Sequence, residues 1–219
     1  MKKFKATVQR RLWDAHSSGW DTMRSEPSAL HQMGLVADAL RECLPPAAAV
    51  VDLGCGAGQH AVAVAERGFQ VTAVDYSTAM LERARRRAAG AANEIDVREV
   101  DLNDDLPFAA ESFDGALCVS VLQVLDDPMR FLQQVRGSLR PHGHLLVESV
   151  RKLGALSRSD RLGVCDKAIN ACKIAIARLA PDSVREYTPD DITDLLHEAG
   201  FRVLRTDTYD ATFTVLAGR

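Results

Sequence analysis

The sequence predicts an α/β fold: a doubly wound sheet of seven strands, mostly parallel with the last strand antiparallel, and helices on both faces. Three observations carry this expectation. Short apolar runs alternate with helical patterns five times along the first two thirds of the chain, the signature of a parallel sheet whose strands are joined by helices. The first run ends in a turn with glycines at strict alternation, Gly54, Gly56 and Gly58. The chain closes with two β-rich runs, Phe201 to Tyr209 and Ala211 to Ala217, separated by Asp210 alone. A link that short permits only an antiparallel hairpin.

Taken in order, residues 1 to 27 are mixed, with a short helix predicted around Val8 to His16 and broken at Gly19. Trp13 and Trp20 stand outside any strand, either capping a pocket or only anchoring this segment. From Ser28 to Leu44, Leu30, Met33, Ala37, Leu40 and Leu44 recur at helical spacing until Pro45-Pro46 ends the pattern. Val50 to Leu53 reads as a buried strand, Gln59 to Arg67 as a helix stopped by Gly68, and Gln70 to Val74 as a second strand ending at Asp75. Ser77 is a good amino cap for a helix burying Met80, Leu81, Ala84 and Ala88, with Arg85, Arg86 and Arg87 toward solvent.

Ile95 to Val100 alternates like a half-covered edge strand and ends at Asp101. The fourth strand is expected over Gly115 to Val119. Asp127 and Pro128 then cap a helix carrying Phe131, Leu132, Val135 and Leu139. Arg140 to Gly143 is expected to turn into a fifth strand, His144 to Ser149. An apolar stripe from Val164 to Leu179 predicts an inserted helix, either a lid over a pocket or a packing element or subunit contact. Thr188 to Asp191 caps a last helix with Ile192, Leu195, Leu196 and Ala199 inward and Gly200 at its end. We expect one domain over 1–219: a helical cap (1–46), a binding core (47–150), an inserted helical lid (151–187), then a closing helix and hairpin (188–219).

Composition narrows the function. With 47% hydrophobic and 26% charged residues over 219 positions the chain is ordinary globular protein. A formal net charge of −3 gives no global field to recruit nucleic acid or an anionic membrane surface. Cys43, Cys55, Cys118, Cys165 and Cys172 show no paired spacing, as expected in a reducing compartment. The amino terminus lacks a signal-like apolar core, and no run approaches the roughly 18 apolar residues of a membrane span. The expectation is a cytoplasmic protein with neither nucleic acid nor membrane as partner and an open oligomeric state. No cluster of His, Cys and carboxylates has metal-ligand spacing, so no metal site is expected.

The chemistry gathers at the glycine turn. A turn without Cβ atoms lets backbone approach a ligand closely, and the amides of the following helix point back toward it. Asp75, at the carboxyl end of the second strand, stands where a carboxylate can accept both ribose hydroxyl protons. Dinucleotide sites favour G-x-G-x-x-G, whereas here Gly54-Cys55-Gly56-Ala57-Gly58 follows Asp52. An acid beside the turn repels a pyrophosphate and suits an ammonium group. The turn therefore fits a cationic, amino-acid-bearing nucleoside better than a dinucleotide.

Asp52 to Gly58 followed by Val74-Asp75-Tyr76-Ser77 resembles the first motifs of the class I S-adenosylmethionine-dependent methyltransferase family, of small-molecule type. Leu106-Pro107-Phe108 to Phe113-Asp114, Leu139 to Gly143, and Glu198-Ala199-Gly200-Phe201 resemble its later motifs, with His142 a departure from the usual Pro-Gly-Gly. The resemblance implies a Rossmann-like fold and S-adenosyl-L-methionine as cofactor. It implies that Asp52 and the amides around Gly54, Cys55, Gly56 and Gly58 hold the methionine end, and that Asp75 binds the ribose. Tyr76 and Met80 would pack on adenine, Asp101 and the Leu102 amide would read its edge, and Val119 and Ser120 would line the floor beside the sulfonium. Many members carry His where Gln123 stands, which counts against a base at this position.

Methyl transfer by in-line displacement needs a base only if the acceptor must lose a proton. His16, Glu148 and Tyr187 are the candidates, and His60 is placed to touch the methionine end. The acceptor is expected to be a small molecule attacked at O, N or C, since no basic stripe or base-clamping motif is present. Two other readings remain open: a non-catalytic scaffold that binds the nucleoside, and a nicotinamide-dependent oxidoreductase.

Overall fold

The computed structural model describes residues 10, 11, 13, 14, 27–150, 185–209 and 212–219. Their elements run α1 (Pro27–Cys43), β1 (Ala49–Leu53), α2 (Gln59–Ala65), β2 (Gln70–Asp75), α3 (Thr78–Ala88), β3 (Ile95–Glu99), β4 (Phe113–Val119), α4 (Pro128–Ser138), β5 (Leu139–Val150), α5 (Pro189–Glu198), β6 (Arg202–Thr208) and β7 (Thr212–Gly218). Arg10, Arg11, Trp13 and Asp14 are helical as well. The helix expected after β5 and the candidate base His16 lie outside the described residues.

One seven-stranded sheet has the order β3-β2-β1-β4-β5-β7-β6. β1 pairs parallel with both β2 and β4, and only β7 runs antiparallel to its neighbours β5 and β6. The chain winds from β1 outward to β3, then returns to β4 and winds the other way. The strand order thus reverses between β1 and β4, and at such a switch point a crevice opens beyond the carboxyl ends of the strands.

Alternation along the strands divides the core. Val51 and Leu53 of β1 join Phe131, Leu132 and Val135 of α4 and Ile192 and Leu196 of α5. Val50 instead joins Val36, Ala37 and Leu40 of α1, Ala61 and Val64 of α2, and Leu81 and Ala84 of α3. Both sheet faces are covered by helices, which is why the central strands are mostly apolar, with Asp52 and Glu148 among the few buried polar exceptions.

The caps read in the sequence are made. Ser77 accepts from the Met80 amide, Asp127 from the Arg130 amide, and Thr188 and Asp191 form a reciprocal capping box. Two expectations are corrected. Leu30 is 55% exposed, and Val36 takes its place in the buried face of α1. Leu139 does not end α4 but begins β5, pairing with Phe113 across a register shift. His142 takes a left-handed φ of 68° within this stretch. The segment expected to turn there is an irregular strand start, because Phe113 extends β4 by two residues and gives it a partner.

Candidate active site

The crevice is built outward from the glycine turn. Gly54 and Cys55 both donate their amides to the Val74 carbonyl, at 2.8 and 2.9 Å, which folds the turn against the end of β2. Gly54 has φ 76°, and a Cβ there would lie 2.4 Å from Val121 Cγ2. Only glycine admits so close an approach from the loop after β4. Gly58, φ 84°, caps α2, and a Cβ on it would meet the Ala84 Cα and Cβ of α3 at 3.1 Å. Its place in the motif is therefore close packing of α2 on α3. It does not line the cleft.

Three carboxylates line the cleft: Asp52, Asp75 and Asp101. Asp75 is 9% exposed, with one oxygen accepting from the Gly56 amide at 3.0 Å and the other from the Ser77 amide at 2.9 Å. Burial raises its carboxyl above the ordinary value despite these amides, which pull it down. Asp52 is 2% exposed on β1. Asp101 accepts from the Asn103 amide at 3.0 Å within its own loop. Cys55 Sγ is pushed well up by burial, and the nearby Asp52 and Asp75 push it further, so it stays a thiol. The described lining contains no lysine or arginine.

Gly54, Cys55, Gly56, Tyr76, Met80, Leu102, Val119 and Ser120 also line this cleft, so of the twelve sequence-predicted binding residues only Gly58 stands away. The empty space is about 970 Å³ including the open mouth. His60, 6% exposed, lines it as well. Sequence reasoning missed Gln59, Asn103, Val121, Val124 and Leu125. The first two adjoin recognised motifs and were within reach of a wider reading. The other three come from the loop after β4, which no periodicity marks.

The amino-terminal helical residues reach this cleft. Trp13 lines it and packs on Ala57 and Met80, so of the two readings open for Trp13 the structure supports the pocket. The Asp14 carboxylate accepts from the Ser77 hydroxyl and, at 3.4 Å, from the Ala79 amide at the start of α3. The Arg10 guanidinium lies 5.5 Å from the centre of the Tyr76 ring and pairs with Glu99 at 3.2 Å. These contacts tie the segment to the end of β2, to α3 and to β3.

At the other wall, Ser120 is a non-glycine residue with φ 57°, directly after β4. Its amide donates to the Glu148 carbonyl at 2.8 Å. Such strain persists where surrounding structure enforces it, often at functional sites. Glu148, 3% exposed, accepts from Gln32 of α1 at 3.0 Å. Tyr187 belongs to the core cluster that includes Leu122 and Leu125, and neither it nor Glu148 lines the cleft. Burial raises its phenol above the ordinary value against the pull of Arg185.

An acid-lined crevice at a switch point, with a glycine cradle on one side and apolar groups on the other, defines a nucleoside-binding α/β protein built for a positively charged ligand. Comparison with known proteins narrows that class. Residues 51–147 match the family described as Methyltransferase domain. The chain is 30% identical, over 182 residues, to a protein named ubiquinone biosynthesis O-methyltransferase from Xanthomonas campestris pv. campestris, covering 83% of this chain and 70% of that protein. Among solved structures it resembles an S-adenosylmethionine-dependent methyltransferase from Mesorhizobium loti, at 25% identity and TM-score 0.62, covering 83% of this chain and 96% of that one. It also shares its fold with 1,6-didemethyltoxoflavin-N1-methyltransferase from Burkholderia thailandensis, at 18% identity and TM-score 0.72, covering all of this chain and 89% of that one. The chain belongs to the class I S-adenosylmethionine-dependent methyltransferase family. It is accordingly an enzyme, with S-adenosylmethionine as its cofactor. No helix among the described residues is long and apolar enough to cross a membrane, and no described His, Cys and carboxylate group could hold a metal ion.

Proposed function

We propose that this enzyme methylates an oxygen atom of a small-molecule acceptor. The observation that carries the reading is the lining itself: three carboxylates with no lysine or arginine among the described lining residues, together with Val119, Val121, Val124 and Leu125. That charge suits a sulfonium and an ammonium group. A dinucleotide's pyrophosphate would face the same three carboxylates unpaired, which counts against the nicotinamide reading. Oxygen as the acceptor atom is supported by the O-methyltransferase name of the 30%-identical relative.

The residues present fit the cofactor. The Gln59 amide nitrogen is buried in the cleft wall without a partner, a donor ready for a carboxylate. When bound, S-adenosylmethionine supplies a methyl group on a cationic sulfur, open to in-line displacement. Asp52, Gln59 and the turn amides hold the amino-acid end, Asp75 the ribose, and Tyr76 and Met80 the adenine, whose edge Asp101 and the Leu102 amide read. Val119 and Ser120 form the floor at the reacting end. Trp13, packed on Ala57 and Met80, excludes water from that wall of the site.

Orientation of this kind contributes on the order of 7–11 kcal/mol to well-aligned reactions. We assign Glu148 as the proton acceptor for the attacking hydroxyl. Its backbone is bonded to the Ser120 floor, and Gln32 holds its carboxylate.

Calorimetry with S-adenosylhomocysteine and with NADH, followed by transfer of labelled methyl from S-adenosylmethionine to a panel of phenols and aliphatic alcohols, tests the reading. S-adenosylhomocysteine binding, no NADH binding and label on oxygen are expected. Failure to bind S-adenosylhomocysteine would sink the proposal. Label appearing only on nitrogen or carbon acceptors in a wider panel would overturn the oxygen assignment.

A further inference from the structure

The arginine run of α3 does not face solvent as a unit. Arg85 and Arg86 are exposed, but Arg87 is half-buried, and its guanidinium donates to the carbonyl of Ala57 in the glycine turn, 30 residues away in the chain. For Arg87 the expectation of a solvent-facing side chain is therefore corrected. The reason lies in packing: Gly58, with no Cβ to hold it off, lets Ala84 settle against the turn. Arg87 follows Ala84 by three residues, on the same side of the helix.

Ala57 stands between two residues of left-handed φ, Gly56 at 53° and Gly58 at 84°. Glycine changes conformation at little cost, so the peptide planes beside Ala57 turn over readily unless something holds them. The plane that joins Ala57 to Gly58 is held at both ends. Its carbonyl accepts from Arg87, and its amide donates to the Cys55 carbonyl at 3.0 Å. The following carbonyl, that of Gly58, accepts from the Val62 amide at 3.0 Å and so begins α2, whose first residues Gln59 and His60 line the cleft. On the other side of Ala57, the Gly56 amide donates to Asp75. One peptide plane thus sits between the Gln59 side and the Asp75 side of the cleft, while Arg87 holds it from outside the lining.

We propose that Arg87 is a positioning residue for cofactor binding, locking the Ala57–Gly58 peptide in the orientation that aligns Gly56 and Gln59 on the ligand. The proposal rests on the reading above in which the turn and Gln59 hold the amino-acid end. A guanidinium stays charged at any working pH, and its bond to a carbonyl is charge-assisted. Its charge alone would act the other way. Beside a cleft that draws in a sulfonium with carboxylates, a positive group opposes the cation, and removing it would tighten S-adenosylmethionine. Loss of the lock instead weakens S-adenosylmethionine and S-adenosylhomocysteine alike. The two roles of Arg87, charge and contact, therefore predict opposite signs.

Calorimetry with both ligands on the full chain, and nitrogen-15 relaxation dispersion on the ligand-free protein, test this. Arg87→Leu, which keeps much of the side-chain stem, should weaken both ligands by roughly 10- to 100-fold, the span of one charge-assisted hydrogen bond. It should also bring microsecond-to-millisecond exchange to the Ala57, Gly58 and Gln59 amides, absent in the wild type and suppressed by bound S-adenosylhomocysteine. Arg87→Lys keeps one charged donor and should recover part of the affinity. Arg86→Ala removes the same charge from an exposed neighbour and should match the wild type in both measurements. If Arg87→Leu does not fold, Arg87→Gln, whose shorter side chain stops short of Ala57, carries the same expectation. Undiminished affinity in the folded variant would overturn the inference, and so would weakened affinity with a turn as quiet as the wild type. An equal loss in Arg86→Ala would also overturn it, since the effect would then be one of charge. A wild type that binds neither ligand would instead overturn the proposed function, and this inference with it.

Discussion

Gly54→Ala separates backbone freedom from close approach at the turn. The left-handed φ of 76° costs an alanine about 1–2 kcal/mol. Its Cβ would also sit 2.4 Å from Val121 Cγ2, an overlap that must be relieved by movement costing about 1–3 kcal/mol. Together the loss is about 2–5 kcal/mol, which in a chain of this size lowers the melting temperature by several degrees. Val121→Ala alone removes two largely buried methyl groups, a loss of roughly 2 kcal/mol. In the double variant the overlap vanishes while the backbone cost remains. The two changes should therefore fall short of additivity by about 1–3 kcal/mol. Denaturant unfolding of the wild type, both single variants and the double variant measures this directly. Additivity within about 0.5 kcal/mol would refute the claim that the loop after β4 dictates glycine here.

Asp75→Asn should weaken S-adenosylhomocysteine binding by at least roughly tenfold, since a charge-assisted acceptor is lost, and calorimetry reads it. Because burial raises the Asp75 carboxyl above 3.8, the ionised form costs stability above its folded pKa, a cost relieved as pH falls through it. Ligand affinity has the opposite sign: calorimetry on lowering pH should show binding weaken before an ordinary aspartate would protonate, and Asp75→Asn should flatten the profile. Thr188→Ala removes one arm of the capping box on α5 and should cost about 1 kcal/mol in thermal unfolding, with cofactor affinity unchanged. Asp14→Ala releases the amino-terminal segment from Ser77 and the start of α3, and stopped-flow measurement should show faster S-adenosylhomocysteine dissociation. Cys118, pushed up to about 12 by burial and by Asp52, should resist alkylation near neutral pH, as peptide mapping after iodoacetamide treatment would show.

Much of the site is local in the chain, and that part was legible. Gly54 to Gly58 and Asp75 end adjacent parallel strands, so strand order alone brings them together. Asp101 follows β3 by the same logic. The caps of α3, α4 and α5 need only a few neighbouring residues and appear as read. Leu30 and Leu139 went astray because helical spacing cannot say which part of a stripe meets a partner, or when a strand captures a helix end. Trp13 was undecidable from its neighbours, since Ala57 and Met80 come from elsewhere in the chain.

Periodicity, turn chemistry and the placing of acids at strand ends determine the sheet, its winding and the glycine cradle, because each depends on residues a few positions apart. The acceptor side obeys no such local rule. Val121 against Gly54, Gln32 on Glu148, and the Gln123 carbonyl on the Arg185 amide join residues far apart in the chain. Those contacts arise only when the helices settle on both faces of the sheet. Packing, not pattern, therefore joined the turn at Gln123 to the segment before α5 and aimed the glycine turn at its opposite wall.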